Sequence, residues 1–229
     1  MTMPDKANSP ERTSQPFQRA VVIVEDDAFI RSLTADALEK AGFLVSTAAT
    51  IADGRRVIRA VDPDAVVLDI DFGQGPTGYD LADAIRKSNP DIAIVFLTTQ
   101  PDPRFADRDA KSVSKSEAYL NKNLLSDTNT LVEALEAVLT DGDVAEFRHH
   151  ELANRPLVSL SKTQVQVLKL LAAGKTNQQI ANERKRSLGA TESAITRTLE
   201  AIGIEGDAEM NVRVAAAMKY AALVGVVTQ

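Results

Sequence analysis

Short apolar runs alternate with longer amphipathic stretches from residue 20 onward. This alternation is typical of βαβ units and not of a β-sandwich. It predicts strands at 20–25, 43–48, 65–70, 92–98 and 117–121, and helices near 28–41, 51–61, 77–88, 103–112 and 127–140. Four of the helical runs are preceded by a residue that favours the N-cap position: Thr50, Thr77, Asp102 and Asp127. Pro103, after Asp102, occupies the first helical position, which proline favours. We therefore expect a flavodoxin-like α/β domain with a parallel five-stranded sheet.

The C-terminal part of the chain has a helical pattern throughout. Ser161 and Gln164, and then Thr176 and Gln179, have the spacing of N-terminal capping boxes. Gly174 separates the two helices that these boxes predict. Two short helices joined by a glycine turn form the scaffold of a helix-turn-helix, so we expect a small all-α domain of four helices, the third near 188–201.

One polar stretch precedes the α/β domain, and another separates it from the helical domain. Residues 1–18 are polar, contain prolines and lack the apolar segment of a secretory signal, which predicts a disordered tail. Residues 141–157 lose the apolar period and predict a linker in which the tandem His149 and His150 are solvated and bind no metal. The expected division is a tail (1–18), an α/β domain (19–140), a linker (141–157) and a helical domain (158–229).

Charge and composition narrow the class of protein. Residues 1–150 carry 16 Lys and Arg against 25 Asp and Glu, whereas residues 151–229 carry 10 against 7, so an acidic domain precedes a mildly basic one with a net charge of +3. The absence of cysteine excludes disulfides and thiolate metal sites and suits a reducing cytoplasm. Because no apolar run approaches the ~20 residues of a membrane span, we expect no membrane segment.

Polar side chains follow four of the predicted strands. Glu25 and Asp26 follow the first strand, Asp69 the third, Thr98 closes the fourth and Lys122 follows the fifth. Open α/β sheets bind ligands at the carboxyl edge of their strands. Clustered carboxylates repel one another unless a cation lies among them. The pattern therefore predicts a divalent-metal and phosphoryl site in which one carboxylate is the nucleophile.

The segments IVEDDAFIRSL, VVLDIDFG, VFLTTQ and AYLNKN, in this order, resemble the motifs of bacterial response-regulator receiver domains. The resemblance implies that a sensor histidine kinase phosphorylates Asp69. It also implies Mg²⁺ as cofactor, Thr98 and Lys122 as phosphoryl-stabilising groups, and Tyr119 as a switch aromatic. The implied Mg²⁺ ligands are the carboxylates of Glu25, Asp26 and Asp69 and the backbone carbonyl of Asp71.

The chain departs from the receiver pattern at two turns. Asn123 stands where the family usually has a proline after its lysine. A non-proline cis bond costs roughly 3 kcal/mol, so either this turn is strained or its conformation differs. The loop after Asp69 contains additional glycine and reaches Gly78 late, which makes its course harder to predict.

The helical domain, through LSKTQVQVLKLLAAGKTNQQIA, resembles the LuxR/NarL-type output domain. The resemblance implies transcription regulation through double-stranded DNA, with the third helix in the major groove. The candidate contacts are Lys175, Arg184, Lys185, Arg186, Thr196 and Arg197. Since Arg197 is the one basic residue in 188–201 and Glu192 and Glu200 accompany it, we expect few base contacts. The small net charge favours binding as a homodimer, and we expect the receiver and linker to mask the third helix until phosphorylation.

Two alternatives remain open at this point. LDID also resembles the Asp-x-Asp opening of haloacid-dehalogenase-like phosphatases, in which Asp71 would be the general acid. The helical domain could instead bind proteins, so that the receiver acts through protein contacts and not through DNA.

Overall fold

The computed structural model of the chain describes residues 18–106, 108–109, 112–125, 127–151, 159–204 and 211–224. Five parallel strands form one sheet in the order β2-β1-β3-β4-β5. Each lies within two residues of its predicted position: β1 (Ala20–Val24), β2 (Leu44–Ala48), β3 (Ala65–Leu68), β4 (Ala93–Thr98) and β5 (Ala118–Asn121). The predicted α/β fold is confirmed.

Four helices cover the two faces of the sheet: α1 (Ala28–Lys40), α2 (Ile51–Val61), α3 (Gly78–Ser88) and α4 (Asn129–Leu139). Leu38 of α1 and Leu135 of α4 pack on one face, and Ile58 of α2 and Ile85 of α3 pack on the other. Because apolar residues cover both faces, the strands are continuous apolar runs, as expected of a parallel sheet. The buried layers fix the carboxyl ends of the strands at a single edge.

The helix predicted at 103–112 is wrong. Over the described residues of this range, Pro103–Ala106 forms a 3-10 turn, Arg108 and Asp109 are not helical, and Ser112 is again in a 3-10 conformation. Asp102 accepts the N–H of Arg104 (2.8 Å), as a cap would, but its carboxylate also pairs with the Arg104 guanidinium (2.6 Å). Phe105 is 3% exposed and packs in the apolar cluster of the helical domain. Tertiary contacts therefore override the local helix signal.

The start of the predicted linker packs against the five-stranded sheet. It forms 3-10 turns at Ala145–Phe147 and His149–Glu151, and Arg148 makes a parallel bridge to Tyr119 of β5. His149 and His150 are 9% and 4% exposed, so the prediction that they are solvated is wrong. Strand β5 lies at the edge of the sheet, so its outer N–H groups need acceptors from outside the sheet. The N–H of Asn121 donates to His149 Nδ1 (3.1 Å), which explains why this histidine is buried here. Residues 1–17 of the predicted tail and 152–157 of the linker lie outside the described residues.

Within residues 159–204 and 211–224, the C-terminal domain has the four predicted helices: α5 (Lys162–Ala172), α6 (Asn177–Glu183), α7 (Leu188–Ala201) and α8 (Val212–Val224). Both predicted capping boxes are present, at Ser161 and Thr176. Gly174 ends the turn after α5 at φ +73°, a conformation that favours glycine. Within the described ranges, no helix combines the length and apolarity needed to cross a bilayer.

The two domains meet through the 3-10 turn at Pro103–Ala106 and helix α5. The Arg104 guanidinium donates to the carbonyl of Leu160, and Lys169 Nζ donates to the carbonyl of Phe105 (2.8 Å). The outward side chains of α7, including Thr196 and Arg197, are exposed. The expected masking of the third helix is therefore wrong for this structure, because the α/β domain contacts the helical domain at Leu160 and Lys169 and leaves the outward face of α7 exposed.

Candidate functional site

The carboxyl edge of the sheet brings Glu25, Asp69 and Lys122 into direct contact. Lys122 Nζ lies 2.5 Å from Glu25 Oε2 and 2.9 Å from Asp69 Oδ2. The two acids are 2% and 6% exposed, so the ammonium bridges two buried carboxylates. Three strands that are distant in sequence thus deliver the charged groups to one point, as the alternation predicted.

Asp26 completes a cluster of three carboxylates. One oxygen from each of Glu25, Asp26 and Asp69 lies within 4.8 Å of the others. Asp26 is exposed, unlike its two neighbours, so the cluster opens to solvent on its side. All of the candidate side-chain ligands are oxygens, the donor type that Mg²⁺ prefers, and the site keeps an open side for water or a phosphoryl oxygen.

The acidic side chains are held by backbone contacts. Asp69 Oδ1 accepts the N–H groups of Ile70 (2.6 Å) and Asp71 (3.4 Å). The Arg31 guanidinium donates to the carbonyls of Glu25 (2.7 Å) and Asp26 (3.1 Å) and so ties helix α1 to the acidic pair. Sequence reasoning missed Arg31. Its position one turn into the helix that follows two acids is the signal that could have found it.

Gly78 closes the loop after Asp69. Its N–H donates to the carbonyl of Ile70 (3.0 Å), and a Cβ at this position would lie 1.9 Å from the backbone oxygen of Asp69. The loop can therefore return to the strand end only with glycine at this position. Gly78 follows Asp69 later than is usual in the receiver pattern. Because it has no side chain, helix α3 can begin directly against the end of β3.

Burial and charge shift the pKa values of this site. Burial, followed by the charge of Asp69, raises the pKa of Glu25 to about 7, although Lys122 opposes the shift. Burial alone would lower the pKa of Lys122, but the Asp69 and Glu25 carboxylates outweigh it, and this pKa is raised. Lys122 thus offsets only part of the effect of burial and repulsion on Glu25, and a further cation among these acids would stabilise their ionised forms.

Thr98 and Tyr119 lie on neighbouring strands beside this cluster. Thr98 is fully buried, and its hydroxyl oxygen accepts the N–H of Gln100 (3.2 Å). Tyr119 is also fully buried, and its hydroxyl donates to the carbonyl of Gln100 (2.9 Å). Both candidate switch residues are therefore hydrogen-bonded to Gln100, which sequence reasoning did not single out.

The two turns that departed from the receiver pattern have simple local structures. Lys122–Leu124 forms a 3-10 turn without a cis peptide bond, and the Asn121 side chain accepts the N–H of Asn123 (2.9 Å). The turn therefore differs in conformation and is not strained. Asp71 is exposed, and its side chain accepts the N–H of Gly73 (3.1 Å), so its carboxylate is engaged in its own loop.

The sequence model of the response regulator receiver domain matches residues 21–137, which is more than half of the chain. The chain belongs to the response regulator family. The model of bacterial regulatory proteins of the luxR family matches residues 158–209, which cover α5 to α7. The chain is thus a transcription-regulating response regulator with a receiver domain and a LuxR-type output domain.

Relatives agree with both halves of this assignment. The chain is 26% identical over 209 residues to the oxygen regulatory protein NreC of Staphylococcus haemolyticus, covering 83% of this chain and 94% of that protein. It is 35% identical over 80 residues to the photosynthetic apparatus regulatory protein RegA of Cereibacter sphaeroides, covering 35% of this chain but only 43% of that relative. RcsB of Salmonella enterica serovar Typhimurium, bound to promoter rprA with a phosphomimetic, has a TM-score of 0.58. At 19% identity over 92% of this chain and all of that chain, RcsB supports the fold alone.

The candidate DNA contacts of the LuxR-type domain are distributed over two regions. Lys175 pairs with Glu183 (2.8 Å), and Lys185 and Arg186 are exposed after α6. Two nitrogens of Arg184, Nε and Nη1, are buried and have no hydrogen-bond partner in the described part of the chain. Burial, followed by the charge of Arg186, lowers the pKa of Arg184.

Helix α7 carries the other two candidates on its outward face. Thr196 and Arg197 are exposed and hydrogen-bond to carbonyls of their own helix, those of Glu192 and Ser193. Glu192 and Glu200 are exposed on the same helix. The surface is therefore accessible but of mixed charge, as the sequence predicted.

Proposed function

We propose that Asp69 accepts a phosphoryl group, from a phosphohistidine of a sensor histidine kinase or from a small acyl phosphate, and that this controls DNA binding by the output domain. The observation that carries the proposal is the contact of Lys122 with both Asp69 and Glu25 at the carboxyl edge of the sheet. This arrangement presents a nucleophilic carboxylate and a cation to the same incoming group.

The residues of the site fit Mg²⁺. We assign its binding to the carboxylates of Glu25, Asp26 and Asp69 and to the backbone carbonyl of Asp71. The excess of negative charge and the all-oxygen donor set support this assignment. When bound, Mg²⁺ neutralises charge on the phosphoryl oxygens and holds them for in-line transfer.

The other parts of the phosphoryl transfer depend on side chains of the protein. An Asp69 carboxylate oxygen forms the bond to phosphorus while the bond from phosphorus to the donor nitrogen or oxygen breaks, and the donor keeps that electron pair. Lys122 shifts from the carboxylates toward a phosphoryl oxygen and compensates its charge. The Thr98 hydroxyl oxygen accepts the N–H of Gln100, and the hydroxyl donates its own hydrogen to another phosphoryl oxygen.

For the output domain we propose double-stranded DNA as the partner and a homodimer as the binding species. The proposed contacts are mostly to phosphates, which position a protein on DNA without reading its sequence. They are made by Lys175, Arg184, Lys185, Arg186, Thr196 and Arg197. The accessible face of α7 supports DNA over a purely protein partner, because a groove-binding helix must be exposed on one side. We assign these roles to a cytoplasmic protein.

We propose that the domain boundaries expected from the sequence also separate these functions. Residues 19–140 form the phosphoacceptor domain, residues 141–157 connect it to the output domain, and residues 158–229 bind DNA. The phosphatase alternative has less support, because the Asp71 carboxylate accepts the N–H of Gly73 within its own loop, whereas Lys122 donates to Asp69.

The test is the intact mass of the protein after incubation with acetyl phosphate and Mg²⁺. We expect wild type to gain one phosphoryl group and Asp69→Asn to gain none, since the nucleophilic oxygen is lost. Asp71→Asn is the matched control and should still be labelled, while EDTA should abolish labelling of wild type. Full labelling of Asp69→Asn would place the acceptor elsewhere, and turnover of a phosphate ester would favour the phosphatase alternative.

A further inference from the structure

His149 is a residue of the linker whose imidazole reaches the end of strand β5. The side chain is buried, and its Nδ1 accepts the N–H of Asn121 (3.1 Å). A neutral imidazole accepts at one nitrogen and donates at the other, so the proton of His149 lies on Nε2. Asn121 is the last residue of β5 and directly precedes Lys122. The hydrogen bond therefore fixes the backbone from which the ammonium of the candidate site extends.

Contacts on both sides hold this imidazole in place. Arg148 forms a parallel bridge to Tyr119 of β5, and its guanidinium donates to the carbonyl of Glu117 (2.8 Å). The His150 and Tyr119 rings are in contact, with their centroids 4.6 Å apart. His149 thus lies in a segment that is attached to β5 at several points, so its Nδ1 has a defined position relative to the end of the strand.

The turn after β5 lacks the proline that follows the lysine in the receiver pattern. Asn123 occupies that position, and its N–H donates to the Asn121 side chain (2.9 Å). The same side chain donates to the carbonyl of Thr99 (3.4 Å), and the Asn121 N–H donates to His149. Hydrogen bonds to the side chain and backbone of one asparagine therefore fix a turn that proline would otherwise make rigid.

The position of Lys122 depends on this turn. Its Nζ lies 2.5 Å from Glu25 Oε2 and 2.9 Å from Asp69 Oδ2. Lysine has a flexible stem of four carbons, so the ammonium is placed only as well as the backbone that carries it. Without an acceptor, the buried N–H of Asn121 would be unpaired, and the end of the strand would move to satisfy it. Such a movement would draw Lys122 away from one or both carboxylates.

We propose that His149 is a positioning residue for phosphoryl transfer, because its Nδ1 holds the end of β5 so that the Lys122 ammonium stays between the two buried carboxylates. The inference rests on the proposed function. His149 lies outside residues 19–140, so the linker contributes to the phosphoacceptor site as well as connecting the two domains. In this chain the linker imidazole replaces part of the restraint that a proline at position 123 would give.

The first test is the initial rate of Asp69 labelling by acetyl phosphate at saturating Mg²⁺. His149→Phe keeps an aromatic ring but has no acceptor, and we expect the rate to fall about tenfold, because small displacements of a catalytic group are costly. His149→Asn should stay within about twofold of wild type, since Asn Oδ1, like His Nδ1, is an acceptor bonded to Cγ. The Mg²⁺ concentration that gives half the maximal rate should be the same in all variants, because the substitutions leave the three carboxylates in place.

Two further variants separate positioning from folding. His150→Phe is the matched control, because it changes the neighbouring buried histidine, keeps a ring beside Tyr119 and should leave the rate unchanged. Far-ultraviolet circular dichroism measures the helical content of each variant, and His149→Leu replaces His149→Phe if the latter loses helical content. Equal slowing in His149→Phe and His149→Asn, with helical content unchanged, would overturn the proposal, since the acceptor would then not matter.

The second test observes the ammonium directly in the unphosphorylated protein. Nuclear magnetic resonance of isotope-labelled lysine detects ammonium hydrogens that exchange slowly with water, and Lys122→Met assigns the signal of Lys122. We expect this exchange to be at least about tenfold faster in His149→Phe than in wild type, because the ammonium leaves its carboxylates more often. Exchange in His149→Asn and His150→Phe should remain as slow as in wild type.

The two tests together separate this inference from the proposed function. If wild type is labelled but Lys122 exchanges as slowly in His149→Phe as in wild type, His149 does not position Lys122 and the proposed function stands. Faster exchange with an unchanged labelling rate would show that transfer does not use this restraint and would also overturn the proposal. If wild type gains no phosphoryl group, the proposed function fails, and the exchange measurement alone decides whether His149 holds Lys122.

Discussion

Lys122 and Arg197 each present a cation to a phosphate in the proposed function, but their surroundings are opposite. The Lys122 side chain is 12% exposed and its ammonium is fixed between two buried carboxylates. Arg197 is exposed, and its guanidinium donates to the carbonyl of Ser193 in its own helix. A chemical step requires a cation positioned before the phosphoryl group arrives. Binding to a long polyanion can instead use several weakly placed cations.

This comparison predicts that single substitutions have large effects in the receiver site and small effects on the output surface. A preorganised site loses most of its activity when one group is removed, because the remaining groups are placed around it. On a surface that binds DNA through contacts to many phosphates, one substitution removes only one of several contacts. The three substitutions below span this range.

Lys122→Met tests the preorganised cation. We expect the rate of Asp69 labelling by acetyl phosphate to fall by about 100-fold or more, the scale on which one charge-stabilising group contributes to catalysis. The exposed Lys115 offers a matched control, since Lys115→Met removes a lysine from the same domain without touching the site. Equal labelling rates in the two variants would show that the buried ammonium is not needed for transfer.

Gly78→Ala tests the backbone that supports the site. The added Cβ would lie 1.9 Å from the Asp69 carbonyl oxygen, so the loop or the strand end must move. We expect the free energy of unfolding of the receiver to fall by about 3 kcal/mol, the upper range for an overpacked site. Urea unfolding measures this change.

The control for this substitution is Gly189→Ala in the exposed first turn of α7, where a Cβ would meet nothing within 4 Å. Alanine is the better helix former, so we expect a neutral change or a gain of up to about 1 kcal/mol. A loss at Gly189 equal to that at Gly78 would contradict the close-approach argument.

Arg197→Ala tests the output surface and should have the smallest effect. Loss of one charge-assisted contact of about 1.4 kcal/mol would weaken DNA binding about tenfold and make the salt dependence of log Kd shallower by about 1. Fluorescence anisotropy with a labelled duplex at several salt concentrations measures both. Arg59→Ala, at an exposed position on the receiver helix α2, should change neither. A loss of several hundredfold would instead indicate that Arg197 reads a base.

The sheet and its acidic edge could be predicted because both depend on local patterns. Strand-length apolar runs fix the order of elements, and the end of each run identifies Glu25, Asp69 and Lys122. Phe105, His149 and His150 could not be predicted, because their burial depends on partners far along the chain. An apolar residue in a helix-like segment and two histidines in a polar stretch carry no signal of which surface covers them.

The region around Gln100 shows the same limit within the site itself. Thr98 and Tyr119 follow from the resemblance to receiver domains, whereas Gln100 contributes mainly its backbone N–H and carbonyl. Backbone groups are independent of residue type, so no motif identifies them. The role of a backbone position becomes visible only when the strands are placed side by side.

The bridge between Tyr119 and Arg148 has a further consequence for the solution behaviour of the receiver. Strand β5 lies at one margin of the sheet, where unpaired amides can recruit a strand from another molecule. Residues 147–150 cover this margin with a backbone bridge, an imidazole acceptor and a tilted ring contact between His150 and Tyr119. A receiver fragment ending at residue 140 would expose it and be prone to self-association, whereas one ending at residue 151 would retain its own protection against aggregation.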